Sequence, residues 1–435
     1  MIDIRNVVVL GANGTMGAGS AEVFAAGGCD VVLLARSADK AKEGIVGAQN
    51  MAKSVEIGAR MSAGSYEKDL AAAVSKADLI FEALAEEMEL KKEFFAQVDK
   101  HRRPESLVAT VSSGLSITDM AKTGGASFQK HFMGIHLFNP PNVIVGTEVI
   151  PHAGTDPKLI DPVVDLLERR FGRVVTRCND LPAFAGNRVG FKVLNEVAQL
   201  ASKHGVAFID YLIGPYTGRA MAPLATIDLV GWDVHRAIVD NVYANTKDEA
   251  HDAFALPAYM AKLTKEGRLG NKTPEHGGFY KRIKQDGKNV NLVLEPESGN
   301  LKDSSEVKVK PLPFVEKMRG LHHVGCYVDA FKVFRTAEGA EADLARKVIF
   351  GYISYALNRV GDGEVVTDAR EVDRIMGFGF NWAPPSVLVD VVGLKETIAV
   401  LEKYDLKVPK VLTHAKAGTK LFREPNVNVG RFFAG

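Results

Sequence analysis

A glycine-rich turn between a strand-like run and a helical pattern constrains the fold of this chain more than any other feature. An apolar run at 7–10 precedes GANGTMGAG, and an Ala-rich amphipathic stretch to residue 26 and a second apolar run at 31–34 follow. This order predicts a βαβ unit. Gly11, Gly14 and Gly17 allow close approach of the backbone, and the helix N-terminus after them favours a pyrophosphate. The unit is therefore predicted to bind a dinucleotide, whereas a lone glycine turn would mean little.

Strand-like runs continue through the first part of the chain. They lie at 79–83, 107–111, 132–135 and 144–150, with helical patterns such as 86–98 between the early ones. This alternation predicts an α/β Rossmann fold with a doubly wound, mostly parallel sheet. Beyond about residue 185 the pattern becomes helical, as in 187–204 with a stop at Gly205. Residues 283–320 are charged and poor in long apolar runs, which indicates a short hairpin or linker.

The 435 residues predict two to three domains. We predict a nucleotide-binding domain at 1–185, a first helical domain at 186–300, and a linker with a second helical domain at 301–435. An internal repeat supports two helical modules. Its matched positions are Asp210, Gly214, Ala222, Pro223, Asp228 and Gly231 in the first module, and Asp373, Gly377, Ala383, Pro384, Asp390 and Gly393 in the second. Chance similarity of two glycine-bounded amphipathic segments is the alternative.

Composition narrows the class of protein. The 54 Lys and Arg residues balance 53 Asp and Glu residues, which removes the electrostatic argument for a nucleic-acid or membrane-surface protein. Cys29, Cys178 and Cys326 are far apart, so neither a disulfide framework nor a zinc site is expected, and a reducing cytoplasm fits best. No signal peptide and no long apolar segment is apparent, so the chain is expected to be soluble. His322 and His323 are assigned no metal role.

The end of the second predicted strand bears on the choice of cofactor. An Asp or Glu usually binds the adenosine ribose there, but this chain has Ala35, Arg36 and Ser37. A 2′-phosphate would meet no repulsion, and Arg36 could pair with it, so both NAD and NADP are open. In the alternative interpretation, Arg36 stacks on adenine or faces solvent.

The segment GIHLFNPPNVIVGTEVI carries a candidate general base. His136 follows a short apolar run, and Glu148 lies in a second β-prone run after the Pro140–Pro141 bend. A carboxylate that accepts the far N–H of an imidazole fixes its tautomer and directs the other nitrogen towards a substrate proton. Alone the pattern is weak, because a single His beside an apolar strand is more often structural.

Several motifs together resemble the 3-hydroxyacyl-CoA dehydrogenases of fatty-acid β-oxidation, over essentially the whole chain. In the family's order they are VVVLGANGTMGAG, FEALAEEMELKKEFF, SSGLSI, GIHLFNPP with TEVIP, DLPAFAGNRVG, ATIDLVGWD and GNKTPEHGGFYKR. The chain looks most like the long bacterial form without the enoyl-CoA hydratase domain, so hydratase activity is not expected. The resemblance implies a Rossmann domain followed by all-α modules of the type found at the C-terminus of 6-phosphogluconate dehydrogenase.

The resemblance also implies roles for individual residues. His136 would be the general base and Glu148 its orienting partner, while Ser112 and Asn187 would bind the substrate oxygen or lie between substrate and nicotinamide. The resemblance further implies cofactor contacts at Glu86, Lys91, Asn139 and Lys272. With the glycine turn and the end of the second strand, the predicted cofactor-binding residues are Gly11, Gly14, Thr15, Met16, Gly17, Arg36, Glu86, Lys91, Ser112, Asn139 and Lys272. From pattern alone, the charged residues at 86–92 indicate the solvated start of a helix.

This chain departs from the family pattern at four places. Its glycine spacing is GxxGxxG, with Asn13 as the extra residue, and the ribose-binding acid is missing. The family's Asn-Thr-Ser run becomes Thr110, Val111 and Ser112, and residues 274–276 are inserted after Lys272. The first two departures concern the adenosine half of the cofactor and leave NAD and NADP open. The chemistry is expected to survive, because His136, Glu148 and Asn187 remain.

The expected activity is oxidation of an (S)-3-hydroxyacyl-CoA to a 3-oxoacyl-CoA, with hydride transfer to a nicotinamide cofactor. One alternative is another nicotinamide-dependent β-hydroxyacid dehydrogenase. A second alternative is a dinucleotide-binding family member without catalysis. An acyl-CoA is the expected partner, without nucleic acid, membrane or metal, and the assembly is expected to be a monomer or a homodimer in the cytoplasm.

Overall fold

The structure is a computed structural model that describes residues 2–416 and 418–433. The chain divides into two units. The first extends to Ala185 and includes Asp362–Thr367, and the second comprises Gly186–Gly361 and the residues from Asp368 onward. The predicted boundary at residue 300 stays a prediction, and positions 417, 434 and 435 of the predicted second helical domain lie outside the described residues.

The first unit is built on an eight-stranded sheet. Its strands are β1 (Asn6–Leu10), β2 (Asp30–Ala35), β3 (Met61–Ser65), β4 (Leu79–Glu82), β5 (Leu107–Thr110), β6 (Phe132–Leu137), β7 (Gly146–Pro151) and β8 (Val174–Arg177). They are ordered β3-β2-β1-β4-β5-β6-β7-β8, and β6 and β7 pair antiparallel while the other neighbours are parallel. The first six strands have the order of a Rossmann sheet, so the predicted fold class is confirmed.

Helices connect these strands and cover the sheet. They are α1 (Thr15–Ala26), α2 (Ala38–Ala52), α3 (Val55–Ala59), α4 (Tyr66–Val74), α5 (Met88–His101), α6 (Ile117–Ala121), α7 (Ala126–His131) and α8 (Pro157–Arg169). Apolar side chains of the strands and the helices form one buried core. It includes Val7, Leu33 and Phe81 of the strands and Phe24 of α1. Burial on both faces explains why the central strands have continuous apolar runs.

A short segment from the second half of the chain belongs to the first unit. In Asp362–Thr367, the side chains of Val365 and Val366 are buried. The backbone N–H of Asn179, just after β8, donates to the carbonyl of Val365 at 2.9 Å. The side-chain amide of Asn179 donates to the carbonyl of Glu364 at 2.6 Å. Two hydrogen bonds therefore fix this segment beside the end of the sheet.

The second unit is mostly helical. Its helices are α9 (Gly186–His204), α10 (Val206–Leu212), α11 (Pro223–Val230), α12 (Trp232–Asn245), α13 (Ala258–Lys265), α14 (Pro313–His323), α15 (Tyr327–Thr336), α16 (Ala340–Asn358), α17 (Ala369–Phe378), α18 (Pro385–Val392), α19 (Leu394–Lys403) and α20 (Lys410–Thr413). Short 3₁₀ helices lie at Pro215–Thr217, His251–Phe254, Gly270–Lys272 and Val429–Phe432. Across the described ranges, no helix combines the length and apolar character needed for a membrane crossing.

The all-α description of this unit needs one correction. Strands β9 (Tyr280–Gln285), β10 (Lys288–Leu294) and β11 (Leu301–Asp303) form an antiparallel sheet in the order β11-β10-β9. The predicted hairpin or linker at 283–320 thus contains the β9–β10 hairpin and one further strand. Asp286 and Gly287 make its turn, both with positive φ (50° and 76°), which matches the primed turns favoured in two-residue hairpins.

The internal repeat corresponds to repeated hydrogen bonds. Asp210 in α10 accepts from the backbone N–H groups of Leu224 and Ala225 at the start of α11, at 2.8 and 3.2 Å. Its counterpart Asp373 in α17 accepts from the N–H of Ser386 at the start of α18, at 3.0 Å. In each module a buried aspartate side chain therefore accepts from the N-terminal backbone of the α-helix that follows its own.

The second matched pair of aspartates behaves in the same way. Each carboxylate accepts from two consecutive backbone N–H groups, those of 279 and 280 for Asp228 and those of 421 and 422 for Asp390. The modules meet at an antiparallel bridge between Arg219 and Trp382. The matched residues therefore describe two copies of one supersecondary unit.

Candidate active site

The glycine turn after β1 has two positions that exclude a side chain. Gly11 has a φ of +82°, and a Cβ there would lie 2.1 Å from the carbonyl oxygen of Ala83. A Cβ at Gly17 would lie 2.2 Å from the carbonyl oxygen of Gly11. Gly14 is different, because the nearest atom to its Cβ position is 3.6 Å away. The turn is therefore closed against the sheet at Gly11 and Gly17 and open beside Gly14.

Helix α1 begins at this opening. Gly14 is its N-cap, without a side-chain cap hydrogen bond, and the first turn, which includes Thr15 and Met16, contains no acidic residue. The first N–H groups of a helix have no intrahelical partners and carry partial positive charge. These residues thus fit the pyrophosphate of a dinucleotide.

The end of β2 is where the adenosine half of a dinucleotide is expected. Ala35 is buried, whereas Arg36 and Ser37 are exposed. The Ser37 hydroxyl caps α2 by accepting from the N–H of Lys40 at 3.3 Å. Arg36 is consequently the charged side chain available where β2 ends.

His136 and Glu148 form a buried pair across β6 and β7. Their backbones are directly opposite in register, and His136 Nδ1 lies 2.6 Å from Glu148 Oε2. Glu148 Oε1 accepts from the N–H of Ala185 at 2.9 Å and from the thiol of Cys178 at 3.4 Å. A carboxylate engaged in this way accepts the Nδ1–H of the imidazole, which leaves the Nε2 lone pair for a proton.

The hydroxyl beside that nitrogen is that of Ser113. Ser113 Oγ lies 3.1 Å from His136 Nε2. The predicted Ser112 instead donates through its hydroxyl to Glu86 Oε1, at 2.6 Å. The role of Ser112 stays a prediction. Ser113, which sequence reasoning did not single out, is the serine in contact with His136, and the double serine in VSSGL was the available signal.

Glu86 organises the loop that follows β5. Besides the Ser112 hydroxyl, Glu86 Oε1 accepts from the backbone N–H groups of Ser113 at 2.8 Å and Gly114 at 3.1 Å. Partial burial raises the pKa of Glu86, but the Lys91 ammonium, 3.4 Å away, and these hydrogen bonds outweigh it and leave the pKa below its ordinary value. An ionised Glu86 therefore holds the loop.

A second carboxylate lies behind Glu86. Glu82, the last residue of β4, is fully buried and pairs with the buried Lys91 at 2.7 Å. Its other oxygen accepts from the hydroxyl of Thr110, the last residue of β5, at 2.5 Å. Sequence reasoning missed Glu82 and Thr110, although an acid that ends an apolar strand was a signal. In the structure Lys91 bridges two carboxylates at the carboxyl ends of the strands.

Asn139, Asn187 and Lys272 are three further predicted site residues. Asn139 is exposed after β6 and precedes the cis peptide bond to Pro140. Asn187, the second residue of α9, and Lys272 belong to the second unit. The Lys272 ammonium pairs with Asp233 at 2.9 Å. Their roles stay predictions, as do those of the other predicted site residues.

Among the described residues, no group of three or more His, Cys, Asp or Glu side chains is arranged to hold a metal ion. His322, to which no metal role was assigned, is buried and stacks on Phe433, with ring centroids 5.3 Å apart and planes inclined by 6°. This histidine is therefore a packing residue.

The Rossmann strand order, the open helix N-terminus and the buried His–Glu pair define a nicotinamide-dependent dehydrogenase. Residues 6–181 match the family described as 3-hydroxyacyl-CoA dehydrogenase, NAD binding domain, and residues 184–282 match 3-hydroxyacyl-CoA dehydrogenase, C-terminal domain. The chain belongs to the 3-hydroxyacyl-CoA dehydrogenase family, an oxidoreductase family, as its motifs predicted.

Individual relatives agree with this assignment. The mitochondrial hydroxyacyl-coenzyme A dehydrogenase of Sus scrofa is 32% identical, over 64% of this chain and 91% of that protein. The probable 3-hydroxyacyl-CoA dehydrogenase of Bacillus subtilis is 30% identical over 80% of this chain, which spans only 42% of that protein's length. The crystal structure of 3-hydroxybutyryl-CoA dehydrogenase from Escherichia coli K12 shares the fold, with a TM-score of 0.68 and 21% identity over 94% of this chain and 98% of that one.

Proposed function

We propose that the protein oxidises (S)-3-hydroxyacyl-CoA to 3-oxoacyl-CoA in a β-oxidation type of reaction, and that the same groups catalyse the reverse reduction. The observation that carries this proposal is the His136–Glu148 pair, with its 2.6 Å contact and its buried carboxylate. An imidazole held in this way is a general base for an alcohol proton. Relatives named as 3-hydroxyacyl-CoA dehydrogenases support the choice of substrate class.

The chain's own residues would handle the proton and the substrate oxygen. A bound nicotinamide supplies the acceptor for the hydride from C3. His136 takes up the proton of the hydroxyl, and Glu148 stabilises the imidazolium that results. Ser112 and Asn187 would bind the oxygen as it changes from alcohol to carbonyl.

The cofactor proposal follows from the first unit. NAD would place its pyrophosphate on the N-terminus of α1 beside Gly14, where an added Cβ would meet only Gly11 O, at 3.6 Å. We further propose that NADP is accepted, because Arg36 is exposed at the end of β2 and none of residues 35–37 is acidic. An arginine pairs well with a phosphate in this position.

Reduction of acetoacetyl-CoA, followed by nicotinamide absorbance with NADH and NADPH in parallel, tests the proposal. His136→Ala should lower kcat about 100-fold or more, since general-base catalysis contributes on that scale. The matched control His101→Ala removes an exposed histidine at the end of α5 and should leave kcat unchanged. Full activity of the His136 variant would reject the assignment.

Two other outcomes identify the alternatives. Faster reduction of free acetoacetate than of acetoacetyl-CoA would indicate a different β-hydroxyacid dehydrogenase. Tight binding of NADH without turnover of short-chain or long-chain 3-oxoacyl-CoA would indicate a dinucleotide-binding protein without this catalysis.

A further inference from the structure

The Tyr66 hydroxyl lies against the glycine turn, at a point that the proposed cofactor contacts do not include. Its oxygen accepts from the backbone N–H of Gly11 at 2.8 Å. Tyr66 is the first residue of α4 and directly follows β3. In the parallel pairing of β2 with β3, Ser65 is opposite Ala35, so Tyr66 and Arg36 are the next residues along the two strands. Gly11, Arg36 and Tyr66 therefore follow three neighbouring strands at the carboxyl edge of the sheet, where a Rossmann fold binds its dinucleotide.

Local contacts hold Tyr66 in this position. Ser65, the N-cap of α4, accepts through its hydroxyl from the N–H of Lys68 at 3.4 Å, and its own N–H donates to Asp69 at 2.7 Å. The Tyr66 ring packs edge-on against Phe94 of α5, with ring centroids 4.6 Å apart. Once the ring is fixed, the phenol oxygen is fixed as well. A ligand that binds this hydroxyl therefore costs little side-chain entropy.

The Tyr66 hydroxyl still has a proton to donate. A phenol is both donor and acceptor, and the Gly11 N–H uses only a lone pair of the oxygen. Within residues 2–416 and 418–433, no group accepts from the Tyr66 O–H, and the side chain is partly exposed. Burial raises the pKa of Tyr66 above its ordinary value of about 10, although the Gly11 hydrogen bond and the Arg36 charge oppose it. The hydroxyl is therefore protonated at neutral pH.

The adenosine ribose lacks its usual protein partner in this chain. An Asp or Glu at the end of the second strand normally binds the ribose 2′-hydroxyl, and residues 35–37 include no acid. A phenol can donate to that hydroxyl in place of the carboxylate. Because it is uncharged, it can equally donate to a 2′-phosphate, which a carboxylate would repel.

We propose that Tyr66 is a cofactor-binding residue whose hydroxyl donates to the oxygen on the 2′ carbon of the adenosine ribose. This inference rests on the proposed use of a nicotinamide dinucleotide. The 2′ oxygen belongs to a hydroxyl in NAD and to a phosphate in NADP, and Tyr66 serves both. Arg36 adds a charge that acts on the phosphate alone, so the two residues have separable roles.

A purely structural role for Tyr66 is the competing explanation, because its oxygen also satisfies the Gly11 N–H. That role uses only the lone pair of the oxygen and is indifferent to the ribose. Loss of the hydroxyl would then weaken every dinucleotide by the same factor. A hydrogen bond to the 2′ oxygen instead makes the effect depend on whether that oxygen is present.

Equilibrium binding to the whole chain without acyl-CoA, followed by nicotinamide fluorescence, separates these two roles. The probes are NADH and its analogue without the adenosine 2′-hydroxyl. The wild type should bind the analogue about 3- to 10-fold more weakly than NADH, since a neutral hydrogen bond contributes about that factor. Tyr66→Phe keeps the ring and should bind the two probes about equally. Tyr243→Phe removes an exposed tyrosine hydroxyl in α12 and, as the matched control, should keep the wild-type preference.

NADPH distinguishes the two kinds of 2′ oxygen. Its affinity should fall about tenfold or more in Tyr66→Phe, because a hydrogen bond to a charged acceptor is stronger than one to a hydroxyl. A smaller loss for NADPH than for NADH would restrict Tyr66 to the ribose hydroxyl and overturn its role towards the phosphate.

Four results decide the inference. Equal binding of NADH and the analogue by the wild type would overturn it, even if the Tyr66→Phe variant did not fold. A Tyr66→Phe variant that keeps the full preference for NADH would also overturn it. If the wild type binds neither NADH nor NADPH, the cofactor proposal and this inference fall together. The expected binding pattern without reduction of any 3-oxoacyl-CoA would support the role of Tyr66 and reject the proposed function.

Discussion

His136 and Glu148 are direct cross-strand neighbours, paired in register on β6 and β7. Side chains directly opposite in an antiparallel pair lie on the same face, about 5 Å apart at Cβ. Parallel strands that are consecutive in the chain need a crossover of about a dozen or more residues. The reversal of direction at β7 therefore allows a short loop to bring base and carboxylate together.

Replacing the Glu148 carboxylate by an amide tests whether its charge, rather than its shape, is needed for catalysis. Glu148→Gln keeps the size of the side chain but removes the charge that stabilises the imidazolium. We expect kcat for acetoacetyl-CoA reduction to fall about 100-fold, with a small change in the KM of the acyl-CoA. Steady-state kinetics measures this, with Glu43→Gln on the exposed surface of α2 as control. A loss of kcat no larger than in the control would contradict the role of Glu148.

Alanine substitutions at two positions of the glycine turn should have different effects, one on stability and the other on cofactor binding. Gly11→Ala should lower the free energy of unfolding by about 2 kcal/mol or more, because its φ of +82° and the 2.1 Å approach to Ala83 both exclude a Cβ. Gly14→Ala should leave stability nearly unchanged, because its methyl group would meet only Gly11 O, at 3.6 Å, and should raise the KM for NADH, because that methyl group would lie where the pyrophosphate is proposed to bind. Urea unfolding and cofactor kinetics on both variants check this. Equal stability losses would contradict the assigned geometry.

Arg36 should control the response to the 2′-phosphate. Arg36→Glu should raise the KM for NADPH at least about tenfold, because a charge-assisted hydrogen bond is replaced by repulsion. The KM for NADH in the same variant is the internal control and should change little. If the wild-type enzyme does not use NADPH, the prediction that Arg36 binds the 2′-phosphate is wrong.

Asp373 should make stability depend on pH. The pKa of Asp373 is raised to about 8, mainly because the side chain is buried. The native state then holds a proton that the unfolded chain releases above about pH 4, so the free energy of unfolding should decrease as pH rises from about 4 to 8. Asp373→Asn is neutral and can still accept from the N–H of Ser386. The difference in stability between wild type and variant, from urea unfolding at pH 5 to 9, should therefore change with pH, and a constant difference would contradict the prediction.

The central strands could be predicted from sequence, and the edge strands could not. Strands β1, β4 and β5 are buried and apolar, so their runs stand out. Strand β3 has the sequence MSAGS and is half exposed at one edge of the sheet. Strand β8 is a four-residue edge strand at the other side. Pairing with a neighbour rather than local sequence makes these edge segments strands.

The site shows the same division. The sequence allowed the prediction that His136 and Glu148 lie close together, because only a short loop joins their strands. Which serine hydroxyl contacts His136 depends on Glu86. Glu86 is 26 residues before Ser112 in the chain and accepts a hydrogen bond from the Ser112 hydroxyl, which leaves Ser113 as the serine beside His136. Such a contact between distant residues has no local pattern, so only the folded structure reveals it.

The bonds from Asn179 to the backbone of Glu364 and Val365 have a consequence for how this chain could be shortened. The segment Asp362–Thr367, which follows the first helical module in sequence, belongs to the nucleotide-binding unit. Cutting the gene between the two modules would remove that peptide, expose the surface that Val365 and Val366 cover, and leave a backbone N–H of Asn179 without its acceptor. A one-module enzyme therefore cannot be obtained from this chain by simple truncation, because the two halves are interleaved in sequence.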